Sequence, residues 1–463
     1  MHVVGFAQPE ALVRTYGGLH SEECYEVIES MSGNFVILGN TGSIEEGNSD
    51  VYVMSVDDNG DCIWSVTIGN SFSQHCVSMT GDAEGNYYLA GFTSDLNGYD
   101  VYIVKLDSFG QLLWERTVGG PDWDFGTGIF VSDNRVVVCG STYSFGNGDS
   151  DGYLLELNSD GELIYSYTYG GLAYDSFNDV FINENENVIV GGSSQDESGV
   201  ILPWIISLDT EYMIQWQKVF DSFDSGEITD IADSDGENFL LCGVYIDAES
   251  GNNSGFCQKL NNEATVIWQQ QSNEYTVNSI VQGEEWIYIV GNTELFGLGG
   301  SSAMILRLDL WGNWQNGAAF GESQDEFGND VLIDQQGRVL MAGVSNSYSL
   351  NDVPDIYLVI FPDNEIVSEY QLDIEHQDCF YVDVKAPRRS KDDYLIYLKD
   401  YASFSWSFDT YRLGIYDVSG KLIYENLSYR NGSPVPNISS GVYCVVVVHD
   451  NVTSSMVLYS DVR

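Results

Sequence analysis

Between Thr15 and Gln371 the chain alternates short apolar runs with acidic turns rich in Gly and Asn, and one phrase of about fifty residues recurs seven times. Each copy holds an apolar run closing on Gly, an acidic loop, a second run, and then Asp-x-x-Gly-x-x-x-aromatic. The run-closing glycines are Gly39, Gly91, Gly140, Gly191, Gly243, Gly291 and Gly343, spaced by 52, 49, 51, 52, 48 and 52 residues. Trp64, Trp114, Tyr165, Trp216, Trp268, Trp314 and Tyr370 keep the same beat. In the copy at 73–120 the pattern predicts four strands, at about 75–80, 86–91, 100–106 and 111–117, each bounded by turn residues. GDAEGN joins the first two and DSFG the last two, hairpins in which Gly supplies positive φ.

A four-stranded meander cannot bury both its faces, whereas seven of them stacked round an axis can. The expected fold is therefore all-β, a seven-bladed β-propeller of four-stranded blades followed by a small C-terminal β-sandwich. The outer-strand tryptophans, Trp314 included, are expected to fill wedges between blades. Residues 10–18, EALVRTYGG, copy the outer-strand phrase LLWERTVGG of 112–120 and would tie the two ends of the ring together, although IVSEYQL at 366–372 competes for that place. The connections between second and third strands (40–50, 141–151, 193–203, 344–355) share a rim with the approach loops to each inner strand. They are long, and they are where binding is expected.

Charge divides the chain. The net charge is −53, but residues 385–463 carry nine Lys/Arg against eight Asp/Glu, so residues 1–384 carry −54. The domains expected are a signal-peptide remnant at 1–7, the propeller at 8–375, a linker at 376–384 and the C-terminal β-sandwich at 385–463. So acidic a surface repels phosphate backbones and anionic lipid, which argues against nucleic-acid or membrane-surface partners. No run of eighteen apolar residues offers a membrane span. The acidity serves solubility or binds cations; composition alone fits both.

Eight cysteines show no CxxC spacing. Most sit where other copies have small apolar residues, and Cys242 and Cys257 fall on adjacent strands where a disulfide is one alternative. The start, MHVVGFAQPEA, reads as the tail of a secretory signal peptide, with Gly5 and Ala7 as the small residues of a cleavage site, or as a chance match.

In the C-terminal segment, Tyr416-Asp417, Gly420-Lys421 and Gly441 to Tyr443 carry a YDxxGK turn and a GxYxVxV strand. They resemble the C-terminal sorting domain of the Bacteroidetes type IX secretion system. That resemblance implies export, a secreted or cell-surface location and the type IX machinery as a partner. An eighth blade over 376–427 is the alternative. Asp100-Val101, Lys105-Leu106-Asp107, Gly110, Trp114 and Gly119-Gly120 likewise resemble the repeats of secreted Bacteroidetes propellers.

Five histidines and no G-x-S-x-G, H-E-x-x-H or phosphate-cradling motif leave little for nucleophilic or zinc chemistry. The candidate ligand-binding residues are Trp123, Asp124, Tyr174, Asp175 and Asp325, from the approach loops PDWDFG, LAYDSF and SQDEFG. Asp149 and Asp151 end a rim loop and are the candidate metal ligands, for Ca²⁺, which prefers hard oxygens. Aromatics stack on sugar faces and carboxylates accept hydroxyl protons, so a polysaccharide or a surface protein is the expected ligand. The same acidic residues next to Gly, Asn or Ser also fit simple turn capping. The alternatives are a polysaccharide-degrading enzyme using rim carboxylates and a structural surface component.

Overall fold

The computed structural model describes residues 10–17, 20–42, 49–94, 98–247, 251–294, 300–321, 324–349 and 353–361. Further along, it describes the backbone of the strands Gln371–Gln377, Val382–Asp383, Tyr411–Asp417, Leu422–Tyr429, Gly441–His449 and Val452–Ser460. The chain divides into two compact units, Met1–Ala386 and Pro387–Arg463.

The first unit is a seven-bladed β-propeller. Blade two shows the pattern: Gln74–Gly81, Tyr87–Ser94, Tyr99–Leu106 and Leu112–Val118 form an antiparallel meander running outward from the central channel. Blades one and three to six repeat it, with innermost strands Glu22–Glu29, Asp124–Ser132, Asp175–Ile182, Gly226–Asp233 and Tyr275–Gln282. Blade seven takes Glu326–Ile333, Val339–Ser345 and Asp355–Ile360 from its own repeat and its fourth strand, Glu10–Tyr16, from the other end of the chain. Leu12 faces Ile360 and Tyr16 faces Ile356 in that antiparallel pair. The N-terminal phrase thus closes the ring, as its likeness to an outer strand predicts. Of the competing segment 366–372, residues 366–370 lie outside the described residues; Gln371–Gln377 pairs parallel to Glu10–Tyr16 as a fifth strand. Val382 and Asp383, within the expected linker, pair parallel to Val66 and Thr67 of blade one.

The core consists of seven apolar layers, one at each seam between neighbouring blades. Each innermost strand carries a β-bulge opposite the repeated glycine. Added Cβ atoms at Gly39, Gly91, Gly140, Gly243, Gly291 and Gly343 would overlap a carbonyl oxygen of the bulged strand. In blade four that place belongs to Gly192, paired with Phe177, and not to Gly191.

The outer tryptophans reach across the seams. Trp64 covers Gly110 in the turn of the following blade, and Trp268 covers Gly312. Trp114 and Trp216 donate their indole N–H to Ser159 O at 3.0 Å and Asn262 O at 2.7 Å. Tyr16 does the same at the closing seam, donating to Gly60 O at 2.6 Å. Trp314 departs from expectation: it is 62% exposed. Pairing places Asn316, not Trp314, in the tryptophan register, because Arg307 faces Asn316 as Lys259 faces Trp268. Cys242 and Cys257 are direct cross-strand partners, yet both are free, buried thiols, so the disulfide alternative does not hold.

The second unit contributes one antiparallel sheet, in the order Leu422–Tyr429, Tyr411–Asp417, Gly441–His449, Val452–Ser460. The remainder of the expected sandwich, and most of 376–410, lie outside the described residues.

Candidate functional site

The approach loops and the loops between second and third strands meet on one rim. Tyr143 N donates to Trp123 O at 2.8 Å, Gln195 N to Tyr174 O at 2.8 Å and Asn346 N to Asp325 O at 3.0 Å. On blades two and three this rim carries a cluster of aromatic rings. Trp123 lies edge-on to Tyr99 at 5.6 Å, to Phe125 at 6.5 Å and to Tyr143 at 6.2 Å between centroids. Phe92 joins Phe125 at 5.2 Å and stacks on His75 at 5.0 Å. Burial lowers the pKa of His75, which favours the neutral ring at that stack. Trp123 and Tyr143 remain 51% and 40% exposed, so the supported rings present free surface to solvent. At the sheet ends Tyr99 and Phe125 flank the indole, and Phe92 packs edge-on against both of them.

Beside the platform an open cavity of about 270 Å³ sits where the innermost strands of blades two to five reach the rim. Phe92, Phe125 and Phe177 give it apolar walls, and Ser141, Ser176, Asn178 and Glu227 give it polar ones, with Tyr174 at its edge. Asn178 donates its amide to Glu227 Oε2 at 3.1 Å and to Ile228 O at 2.8 Å, which fixes the orientation of the Glu227 carboxylate. An apolar hollow with a few oriented polar groups suits a small polar ligand or the end of a larger one.

The candidate residues divide by role. Trp123 and Tyr174 are on the platform and in the cavity. Asp124 is fully buried beneath them: it accepts from Gly120 N at 2.7 Å, from Ser144 Oγ at 2.8 Å and from Thr142 Oγ1. Asp175 is likewise buried and accepts from Gly171 N at 2.7 Å. Both therefore cap the Gly-Gly approach loops, the turn-capping alternative of the sequence. Asp325 is on blade seven, three blades round the ring from Tyr174, and accepts from Ser301 N at 2.8 Å. It is not brought to the platform.

Asp149 is exposed at a loop tip, whereas Asp151 is buried and accepts from Asn147 N at 2.8 Å. Burial, with the nearby Asp175 charge, raises the Asp151 pKa. Among the described residues no group of three or more His, Cys, Asp or Glu side chains is gathered as a metal ion would need. Phe92, Phe125, Asn178 and Glu227 were not among the sequence candidates. Their signal is a difference between copies: the position of Phe125 is Glu23, His75, Ser176, Glu227, Thr276 or Phe327 in the other blades.

No family model and no curated protein matches the sequence. Solved structures do share the fold. The WD40 domain of Neurospora crassa Pan2 is 11% identical, with 76% of this chain and 92% of that one covered and a TM-score of 0.46. The β-propeller domain of the Trilobed protease from Pyrococcus furiosus is 10% identical, with 79% and 97% covered and a TM-score of 0.42. Sqt1 from Chaetomium thermophilum is 11% identical, with 71% and 81% covered and a TM-score of 0.43. At these identities the likeness concerns the fold alone.

Proposed function

We propose that this protein is a secreted or cell-surface binding propeller, exported through its C-terminal domain, which holds a polysaccharide on the rim of blades two to five. The observation that carries the reading is Trp123, half-exposed on a bed of aromatic rings beside a cavity lined by Tyr174, Ser176, Asn178 and Glu227. A flat ring offers the C–H face of a sugar a stacking surface, and the neighbouring amide, hydroxyl and carboxylate groups match sugar hydroxyls. Hydrolysis by paired carboxylates needs two acidic groups flanking one bond. Glu227 is the one acidic residue among the described residues lining the cavity, which favours retention over cleavage. Export rests on the resemblance of Tyr416–Lys421 and Gly441–Tyr443 to type IX sorting signals.

The full chain is therefore expected to retain one class of glycan on an array, and Trp123→Ala to lose it with no fall in melting temperature. Retention unchanged in that variant would remove the site. Release of new reducing ends on incubation would turn the reading to an enzyme. For export, deletion of 387–463 is expected to leave the propeller inside a type IX-competent host, and unimpaired secretion of the deletion would contradict that part.

A further inference from the structure

Around the central channel the bulge residues of the innermost strands are Tyr25, Val77, Thr127, Asn178, Thr229, Asn278 and Asn329. A bulge leaves its extra residue outside the ladder. From blade three to blade seven that residue stitches its strand to the next one. Thr127 Oγ1 donates to Phe177 O at 2.8 Å, Asn178 Nδ2 to Ile228 O at 2.8 Å and Thr229 Oγ1 to Val277 O at 3.2 Å. Asn278 Nδ2 donates to Gly328 O at 2.8 Å and Asn329 Nδ2 to Cys24 O at 2.7 Å. In each case the acceptor is the carbonyl of the residue just before the next bulge. At the seam of blades one and two that carbonyl, Cys76 O, is reached from another position. The Tyr25 hydroxyl donates to Glu23, and Asn40, directly after the repeated glycine, donates to Cys76 O and accepts from Cys76 N, both at 3.2 Å.

The seam between blades two and three is built differently. Its matching carbonyl is that of Gly126, and the two positions that stitch the other seams hold Val77, at the bulge, and Phe92, directly after Gly91. Neither side chain has a polar hydrogen to give. Two residues past the bulge of blade three, Ile129 N donates to Ser78 Oγ at 3.2 Å, so the ring is held closed there without a stitch from Val77 or Phe92. This is where the cavity opens: Val77, Phe92 and Gly126 all line it, together with Glu227. A carbonyl withdrawn from water is costly until a donor reaches it. Glu227 adds a second acceptor to the same hollow, since its carboxylate takes one bond from Asn178 and has lone pairs for more.

We propose that the ligand supplies the stitch that Val77 and Phe92 cannot: one sugar hydroxyl donates to Gly126 O, another on the same ring donates to Glu227, and the C–H face of that ring lies against Phe92 and Phe125. The inference rests on reading this rim as a glycan site, and it adds which sugars the site takes. Both oxygens accept, so the site selects a ring with free hydroxyls. A ring bearing a carboxylate, a sulfate or methyl ethers brings no proton to these acceptors, and a charged one also meets Glu227 with like charge.

The test uses the full chain, the glycan it retains and the fully O-methylated form of that glycan. Val77→Thr keeps the shape of the side chain and sets a hydroxyl where Thr127 and Thr229 have theirs. It should take Gly126 O for itself and weaken glycan binding roughly fivefold, the scale of one neutral hydrogen bond. Thr229→Val removes a stitch between blades five and six, away from the cavity, and should lower the urea midpoint while leaving the glycan affinity unchanged. The methylated glycan is expected not to bind. In carbon nuclear magnetic resonance the Gly126 carbonyl of the natural protein is expected to shift as glycan is added, and in free Val77→Thr to be displaced already. Should Val77→Thr fail to fold, the shift in the natural protein decides. Equal affinity of Val77→Thr and the natural protein, binding of the methylated glycan, or a Gly126 carbonyl that the glycan does not move would overturn this inference alone, provided Trp123→Ala still loses the glycan. A natural protein that retains no glycan overturns both this inference and the proposed function.

Discussion

At Gly140 a Cβ would overlap the carbonyl oxygen of Phe125, which the bulge between Gly126 and Gly128 turns toward the second strand. The obstacle is backbone on both sides, so it cannot rotate away. Gly140→Ala is expected to cost about 1–3 kcal/mol, read as a lower urea midpoint with unchanged slope. A contrasting pair lies in the outer hairpin turns, where Gly60, Gly110, Gly161 and Gly312 have positive φ. Ala264 and Tyr212 occupy the same left-handed conformation, at φ 58° and 62°. Ala264→Gly should stabilise by less than about 1 kcal/mol, since relief of the left-handed backbone is partly offset by loss of a methyl packed against the layer between blades four and five. Tyr212→Gly should destabilise instead. The Tyr212 ring packs on Tyr167 at 5.0 Å, its hydroxyl donates to Glu156, and it fills the seam where Tyr165 stands in for tryptophan. Equal signs for the two variants in chemical denaturation would contradict this account of the turns.

The elements were legible in the sequence because strand and turn obey local rules. Gln74–Gly81 and Leu112–Val118 fall within a residue or two of the limits read from alternation and turn residues. What alternation does not reveal is tertiary. Trp314 is two positions out of register: four residues beyond the turn glycine Gly312, where Trp114 stands relative to Gly110, this copy has Asn316, and the nearby tryptophan takes its place only in a count of aromatics. Asp124 and Asp175 look like rim ligands in sequence, and only the folded Gly-Gly loops show their oxygens already occupied. The platform was half legible: Trp123 stands out as a loop tryptophan, but Phe92 and Tyr99 come from adjacent strands of blade two and meet Phe125 of blade three only across the seam. In the closing strand, Val13 packs between blades six and seven and Tyr16 in the seam of blades seven and one, and both are wholly buried. Fully burying a side chain of that kind is worth about 1.5–3 kcal/mol, so deletion of residues 1–16 should lower the melting temperature steeply. Truncation after Phe361 removes Gln371–Gln377 and Val382–Asp383, which bridge from blade seven to blade one outside that seam. It should cost less, and expose Glu10–Tyr16 as an open edge, read by faster amide exchange there.

Seven near-identical blades make the ring, and their differences make its function. The acidic excess belongs to residues 1–384, while the aromatic platform and its cavity gather on blades two to five. A surface of this charge disfavours anionic polymers, so the expected ligand is a neutral polysaccharide, and its affinity should change little between low and high salt. Calorimetric titration of the neutral glycan retained on the array, into the full chain and into Trp123→Ala, tests the central claim most directly. The account predicts saturable binding by the natural protein and at least a tenfold loss in the variant, the scale of about 1.4 kcal/mol of lost stacking. Equal affinity in the two proteins would contradict it.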